Sequence, residues 1–146
     1  MEPLIRPATR LDFEKLWQLY ELLAVDGDPT ISPQEAEQCF TAILARPEHT
    51  IYLAESSGEI VGTYALIFVA GLTHGARHSA IVEDVVVAPN QRGRGIGKWM
   101  MRDALERCRQ RACYKLVLSS HLQRDNAHRF YEGLGFSKHG FSFLVS

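Results

Sequence analysis

The sequence predicts a mixed α/β (α+β) domain, and three observations carry that prediction. Two helical patterns come first, an antiparallel hairpin follows them, and a nearly continuous apolar strand then runs into the glycine-rich turn Arg92-Gly93-Arg94-Gly95-Ile96-Gly97. A strand, glycine turn, helix and second strand in that order form a crossover between parallel neighbours, whereas the hairpin is antiparallel.

In chain order, Leu4-Ile5-Arg6-Pro7 reads as a short strand. Thr9 then caps a helix carrying Leu11, Phe13, Leu16, Trp17, Tyr20 and Leu23 at helical spacing, a stripe expected to face the core. Gly27-Asp28-Pro29 breaks that helix, and Ser32, Pro33 and Glu35 form the cap and first turn of a second, running to about Arg46. The β-branched and aromatic runs from Thr50 to Ala54 and from Ile60 to Val69 flank Ser56-Ser57-Gly58-Glu59, which is hairpin-turn chemistry. Ser79 to Val87 is almost all apolar, as in a strand covered on both faces near the middle of a sheet, but it contains Glu83 and Asp84. Beyond the glycine turn, Lys98 to about Ala112 is helical, Tyr114 to Ser119 is a strand, and a short helix from about Asn126 to Leu134 precedes a last strand near Phe141 to Val145.

At 146 residues the chain fits one domain, 1–146. Its formal charge of -1 provides no field that would gather nucleic acid or an anionic membrane surface, so any anion site is local. It lacks a basic segment followed by an apolar leader and any apolar run near the roughly 20 residues of a spanning helix, so a cytoplasmic location is expected. Cys39, Cys108 and Cys113 lack C-x-x-C spacing and read as buried free thiols. His74, His78, His121, His128 and His139 lack the helical i, i+4 spacing with a partner acid that marks a zinc site, so no metal is expected.

The glycine turn follows an apolar strand and opens a helix, where backbone N–H groups are unpaired. Gly93, Gly95 and Gly97 remove side chains that would hold phosphate oxygens away, while Arg92, Arg94 and the helix dipole supply positive charge. A diphosphate fits this chemistry. A P-loop is excluded because Gly97-Lys98 is followed by Trp99 rather than the hydroxyl that holds magnesium. A Rossmann fingerprint belongs at the first strand of a βαβ unit, not past the middle of the chain after an antiparallel hairpin.

Arg92 to Gly97 matches the R-x-x-G-x-G/A motif of the GNAT superfamily of N-acetyltransferases, and the chain resembles that family in two further segments. These are Val82-Glu83-Asp84-Val85-Val86-Val87 and Arg129-Phe130-Tyr131-Glu132-Gly133-Leu134-Gly135-Phe136, in the right order. The resemblance implies a central mixed sheet of about six or seven strands with flanking helices, and acetyl-CoA as cosubstrate at a splay between two parallel strands. It also implies that the amides of Arg92, Gly93, Arg94, Gly95, Ile96, Gly97 and Lys98 hold the pyrophosphate. Val85, Val86 and Val87 would offer main-chain contacts, and Tyr131 would give a proton to the departing sulfur. Many members carry an asparagine seven residues before that tyrosine; here Arg124 stands there, and Asn126 is the cofactor-contact candidate.

Glu83 matches the family's frequent general base, and burial in a strand would raise its pKa toward the working pH. Because strand side chains alternate, Glu83 and Asp84 are expected on opposite faces unless a bulge re-aims them. The resemblance extends to family members that acetylate small amines bearing a phosphate or phosphonate. Asp84 and the loop residues His74, Arg77 and His78 are therefore candidate substrate contacts. A protein or peptide N-acetyltransferase, or a non-catalytic acetyl-CoA sensor, are the alternative readings. Homodimerisation is common in the family, and Phe141 to Val145 is the segment expected to pair across an interface.

Overall fold

The computed structural model describes residues 1–120 and 122–145. Among them, five strands form one sheet in the order β1 (Leu4–Pro7), β2 (His49–Ser56), β3 (Glu59–Val69), β4 (Ser79–Val87) and β5 (Lys115–Leu118). The neighbours β1 to β4 are antiparallel, and β5 alone pairs parallel, with β4. The four α-helices of the described residues are α1 (Phe13–Glu21), α2 (Pro33–Leu44), α3 (Ile96–Gln110) and α4 (Asp125–Gly133).

Local chemistry sets most of these boundaries. Ser32 and Glu35 close a capping box at α2, with Glu35 N–H donating to Ser32 Oγ at 3.2 Å and Ser32 N–H donating to Glu35 Oε2 at 2.7 Å. The hairpin turn places Ser57 at φ 53° and Gly58 at φ 79°, the paired left-handed residues whose twist suits a two-residue connection. Before α1, a 3-10 turn at Arg10–Asp12 is fixed by Asp12. Its carboxylate accepts from the Thr9 N–H at 2.7 Å and from both terminal nitrogens of Arg6 at 2.8 and 2.9 Å. Arg6 and Thr9 together hold that carboxyl down to about 2.

The two faces of the sheet bury different helices. One core joins Leu16 of α1 and Phe40 of α2 to Ile51, Leu53 and Ala65. The other joins Ile96, Met100, Met101, Ala104 and Cys108 of α3 to Tyr52, Tyr64, Leu66, Ala80 and Val82, with Tyr131 and Leu134 from the α4 region against it. Each fully buried side chain of that size contributes about 1.5–3 kcal/mol, so α3 is held by its apolar face. A polar clasp adds direction: Tyr64 donates to Asp103, Asp103 pairs with Arg107, and Arg107 lies 4.0 Å from the centre of the Tyr52 ring.

Several expectations are corrected. The sheet has five strands among the described residues, and 141–145 form none, because an extended segment becomes a strand only beside a ladder partner. Leu11 is 96% exposed, since it sits in the 3-10 turn rather than on the α1 stripe, and Leu23 falls beyond the helix end. β4 lies next to the sheet edge, and Glu83 and Asp84 are exposed. Of the three thiols only Cys108 is buried; Cys39 is exposed and Cys113 half-buried. His121 lies outside the described residues. Among the described residues no helix is long and apolar enough to cross a membrane.

Candidate active site

The parallel pair β4–β5 runs from Ser79 opposite Lys115 to Val82 opposite Leu118. β4 then continues to Val87, so its last five residues have no ladder on that side among the described residues. This is the splay that the resemblance implies, and on that side the main chain of Val85, Val86 and Val87 has no strand partner among the described residues.

A bulge interrupts β4 at the same point. Thr63 of β3 lies opposite Val86 and Ala65 opposite Glu83, so one residue of β3, Tyr64, stands against two of β4, Asp84 and Val85. Asp84 takes φ 51° there, a left-handed conformation that a short acidic side chain tolerates better than a β-branched one. The extra residue flips the alternation: Ala80 and Val82 pack on the α3 side, and so do Val85 and Val87. Glu83 and Val86 consequently share the α1–α2 face. Asp84 faces that way too, since its charge acts on Tyr20 of α1 and on His49 of β2. The expectation of opposite faces is therefore corrected, and both exposed carboxylates border one surface. The burial invoked to tune Glu83 is absent.

Past the end of β4, a 3-10 turn at Pro89–Gln91 leads into the glycine turn. Gly93 and Gly95 adopt φ 77° and 81°, and a Cβ at either would meet nothing within 4 Å. The open space and left-handed backbone make a cradle that L-side chains would strain and partly fill. Gly95 is the N-cap of α3 without a side-chain cap bond, and the first helical bond is Trp99 N–H to Gly95 O at 3.0 Å. The N–H groups of Ile96, Gly97 and Lys98 therefore precede the helical ladder and point out of its positive end. Arg92, Arg94 and Lys98 are exposed around it, with Arg92 Nε donating to Val87 O at 3.4 Å. This donor set fits a pyrophosphate.

α4 packs against the same face of the sheet as α3. Phe130 lies under Gly97, where a Cβ would come within 3.2 Å of its Cζ, so helix α3 needs a glycine at that position to approach α4. Tyr131 is half-buried against the α3 core, with edge-on contacts to Phe130 at 5.2 Å and Phe136 at 5.8 Å. Burial raises its phenol above the ordinary value, opposed by Arg124, which keeps it protonated at neutral pH and able to donate. Asn126 is exposed in the first turn of α4, on a concavity of about 440 Å³ also bordered by Arg124 and Arg129.

His74, Arg77 and His78 lie elsewhere. They cluster at the start of β4, where His74 stacks on Tyr114 at 4.0 Å and Arg77 lies 6.0 Å from the same ring. Glu83 is four positions beyond Ser79 on the strand, about 13 Å at the usual rise. These side chains thus stand at the start of β4, and the carboxylates at its middle.

The sequence reading passed over Gly62 and Tyr20. Gly62 of β3 lets α3 sit close to the sheet, since its Cβ would meet Met100 Sδ and Val86 O, each at 3.1 Å. An isolated glycine inside a strand was the signal. Tyr20 lies on the α1 core stripe, but its buried phenolic oxygen has no well-aligned hydrogen-bond partner among the described residues; the nearby Thr63 hydroxyl donates to Tyr52 O at 2.8 Å.

Comparison with known proteins agrees with this geometry. The glucosamine 6-phosphate N-acetyltransferase of Trypanosoma brucei brucei is 38% identical over 89 residues, covering 61% of this chain and 58% of that protein. The chain thus matches little more than half the length of that relative. The aminoalkylphosphonate N-acetyltransferase of Salmonella typhimurium (strain LT2) is 33% identical over 140 residues, covering 95% of this chain and 88% of the other. A solved structure from Agrobacterium tumefaciens str. C58 superposes with a TM-score of 0.91 at 36% identity, covering 98% of this chain and 99% of its own. The model of the acetyltransferase (GNAT) family matches residues 13–136. With the splayed strands, the bulge and the glycine cradle in place, the chain belongs to the GNAT family of acetyl-CoA-dependent N-acetyltransferases.

Proposed function

We propose that this protein acetylates the primary amine of a small molecule by direct attack, with Glu83 as the base and Tyr131 as the acid. One observation carries the reading: the open amide cradle at α3 directly follows the stretch of β4 that has no ladder beside it and that carries two exposed carboxylates, and the half-buried Tyr131 packs against the same core as Val85, Val87 and Ile96. Acetyl-CoA bound there supplies the thioester. The ammonium gives one proton to Glu83, directly or through water, and the freed nitrogen bonds to the carbonyl carbon as the carbon–sulfur bond breaks. The nitrogen then loses its second proton to water, and Tyr131 gives its proton to the thiolate and regains one from solvent.

Likeness to the trypanosomal and Salmonella enzymes supports testing phosphate- and phosphonate-bearing amines. His74, Arg77 and His78 do not favour them, because they precede the start of β4 while Asp84 stands five positions beyond Ser79, about 16 Å along the strand. The test is acetyl-CoA-dependent thiol release across a panel of such amines, aminoglycosides, polyamines and short peptides. Tyr131→Phe lowers kcat on the best amine by roughly 100-fold while acetyl-CoA affinity holds. An unchanged kcat removes Tyr131 from the acid role.

We also propose a homodimer. Phe141, Phe143, Leu144 and Val145 are each at least 90% exposed, and the outer edge of β5 has no neighbour among the described residues. Apolar segments and bare edges are each costly in water, and a second copy covers both. Sedimentation at twice the monomer mass, falling to the monomer when the chain is cut before Phe141, is the expected result.

A further inference from the structure

Helices α1 and α2 leave between them a cavity of about 120 Å³. Trp17 and Tyr20 of α1, Cys39 and Phe40 of α2, Ile31 of the connecting loop and Ile51 of β2 are among its walls. Apart from the polar tips of Trp17, Tyr20 and Cys39, the lining is apolar. Ile31 is 48% exposed and Cys39 is exposed, so the cavity opens to solvent on the helix side.

Its inner wall is the side chain that borders the bulge. The buried Tyr20 oxygen has no well-aligned hydrogen-bond partner among the described residues, has the Thr63 side chain within reach, and feels the charge of Asp84. Thr63 stands opposite Val86, on the far side of the bulge from Glu83. An apolar cavity and the exposed carboxylate of Asp84, with Glu83 next to it in sequence, thus lie to either side of one tyrosine. This arrangement is complementary to a molecule that is cationic at one end and apolar at the other. An apolar cavity of about 150 Å³ is known to hold benzene, so the present one is sized for a single ring or a branched alkyl group.

We propose that this cavity receives the side group of the acceptor, and that the substrate class is primary amines carrying one compact apolar group on a short linker. The ammonium lies at Asp84 and Glu83, and the Tyr20 oxygen accepts one of its N–H bonds. This rests on the acetyltransferase reading of the same site and adds the substrate class to it.

Two readouts separate the cavity from the chemistry. In the first, 2-phenylethylamine is added to the intact protein and alkylation of each cysteine by N-ethylmaleimide is followed by peptide mass spectrometry. The amine protects Cys39, at the cavity wall, and leaves Cys113 unchanged. In the second, the ratio of kcat/KM for 2-phenylethylamine to that for ethylamine is measured by thiol release. Cys39→Trp, at an exposed position, fills the cavity and lowers that ratio about tenfold, the scale on which an apolar pocket discriminates. Ile31→Glu, in the exposed loop at the mouth, lowers it in the same direction.

Acetylation of other amines, with no protection of Cys39 and no preference for the ring, overturns the cavity and leaves the transferase intact. Protection of Cys39 with no amine acetylated supports the cavity and counts against the transferase reading. A ring preference that neither variant alters overturns the proposal.

Discussion

Replacing Gly62 by alanine tests whether the closeness of α3 to the sheet is what sets the cradle. Gly62 lies on β3, and an added Cβ would stand 3.1 Å from Met100 Sδ, 3.1 Å from Val86 O and 3.3 Å from Ile96 Cγ2. Ordinary carbon contacts begin near 3.5 Å, so three atoms must each yield a few tenths of an ångström. None is placed to do so easily. Met100 is fully buried, Ile96 is 4% exposed in the first turn of α3, and Val86 O belongs to the backbone of β4 beside the bulge. Overpacking of this kind costs about 1–3 kcal/mol, offset by roughly 0.4–1 kcal/mol from the loss of glycine's freedom in the unfolded chain. A net loss of about 1 kcal/mol lowers Tm by about 2–4 °C in a domain of this size.

The strain falls on Ile96, whose N–H opens the helix, so the cradle shifts with it. Losing one charge-assisted hydrogen bond, about 1.5 kcal/mol, weakens acetyl-CoA binding about tenfold. Differential scanning calorimetry and titration calorimetry with acetyl-CoA read the two effects separately. A Gly62→Ala protein as stable as the parent, with unchanged acetyl-CoA affinity, would refute the argument that this close approach positions α3.

Two further outcomes follow from charge placement. Asp12 titrates at about 2 in the fold against 3.8 ordinarily, so its contribution is complete above about pH 4 and is lost as pH falls toward 2. The side chain is 9% exposed, and the shift corresponds to about 2 kcal/mol. Asp12→Asn therefore lowers stability by about 2 kcal/mol at neutral pH and flattens the dependence of Tm on pH between 4 and 2; an unchanged acid limb contradicts this. His49 is depressed by burial and by Arg46, while Asp84 opposes that shift. Its contribution to stability is present above its unfolded value of 6.5 and is lost as pH falls through the lower folded value. Asp84→Asn removes the opposing charge and moves the His49 titration, followed by NMR, further down. A titration that stays in place means that Asp84 does not face the α1–α2 side.

Patterns confined to neighbouring residues were legible before the fold. The Ser32–Glu35 box, the Ser57-Gly58 turn and the limits of β4 all came from chemistry within a few positions, and the structure has each of them where the residues indicate. The glycine cradle was equally readable, because strand, turn and helix are contiguous and the unpaired amides follow from where a helix starts. Contacts between distant segments were not. No sequence rule assigns Phe130 to the space beneath Gly97, or Met100 to the space above Gly62, since those distances depend on how α3 and α4 settle on one face.

The two carboxylates mark the division most clearly. Sequence alone determined that an acidic pair stands in an apolar strand just before a glycine turn whose amides and arginines have the chemistry of an anion site. Which way the pair points was decided by tertiary structure. Alternation is a property of one strand, but a bulge is a property of two. Only the register of β3 against β4 inserts the extra residue that turns Asp84 toward Tyr20 and His49 and brings Glu83 to the same face. The fate of Phe141 to Val145 has the same origin: the residues specify an extended apolar segment, but a strand exists only where another chain segment supplies the hydrogen bonds.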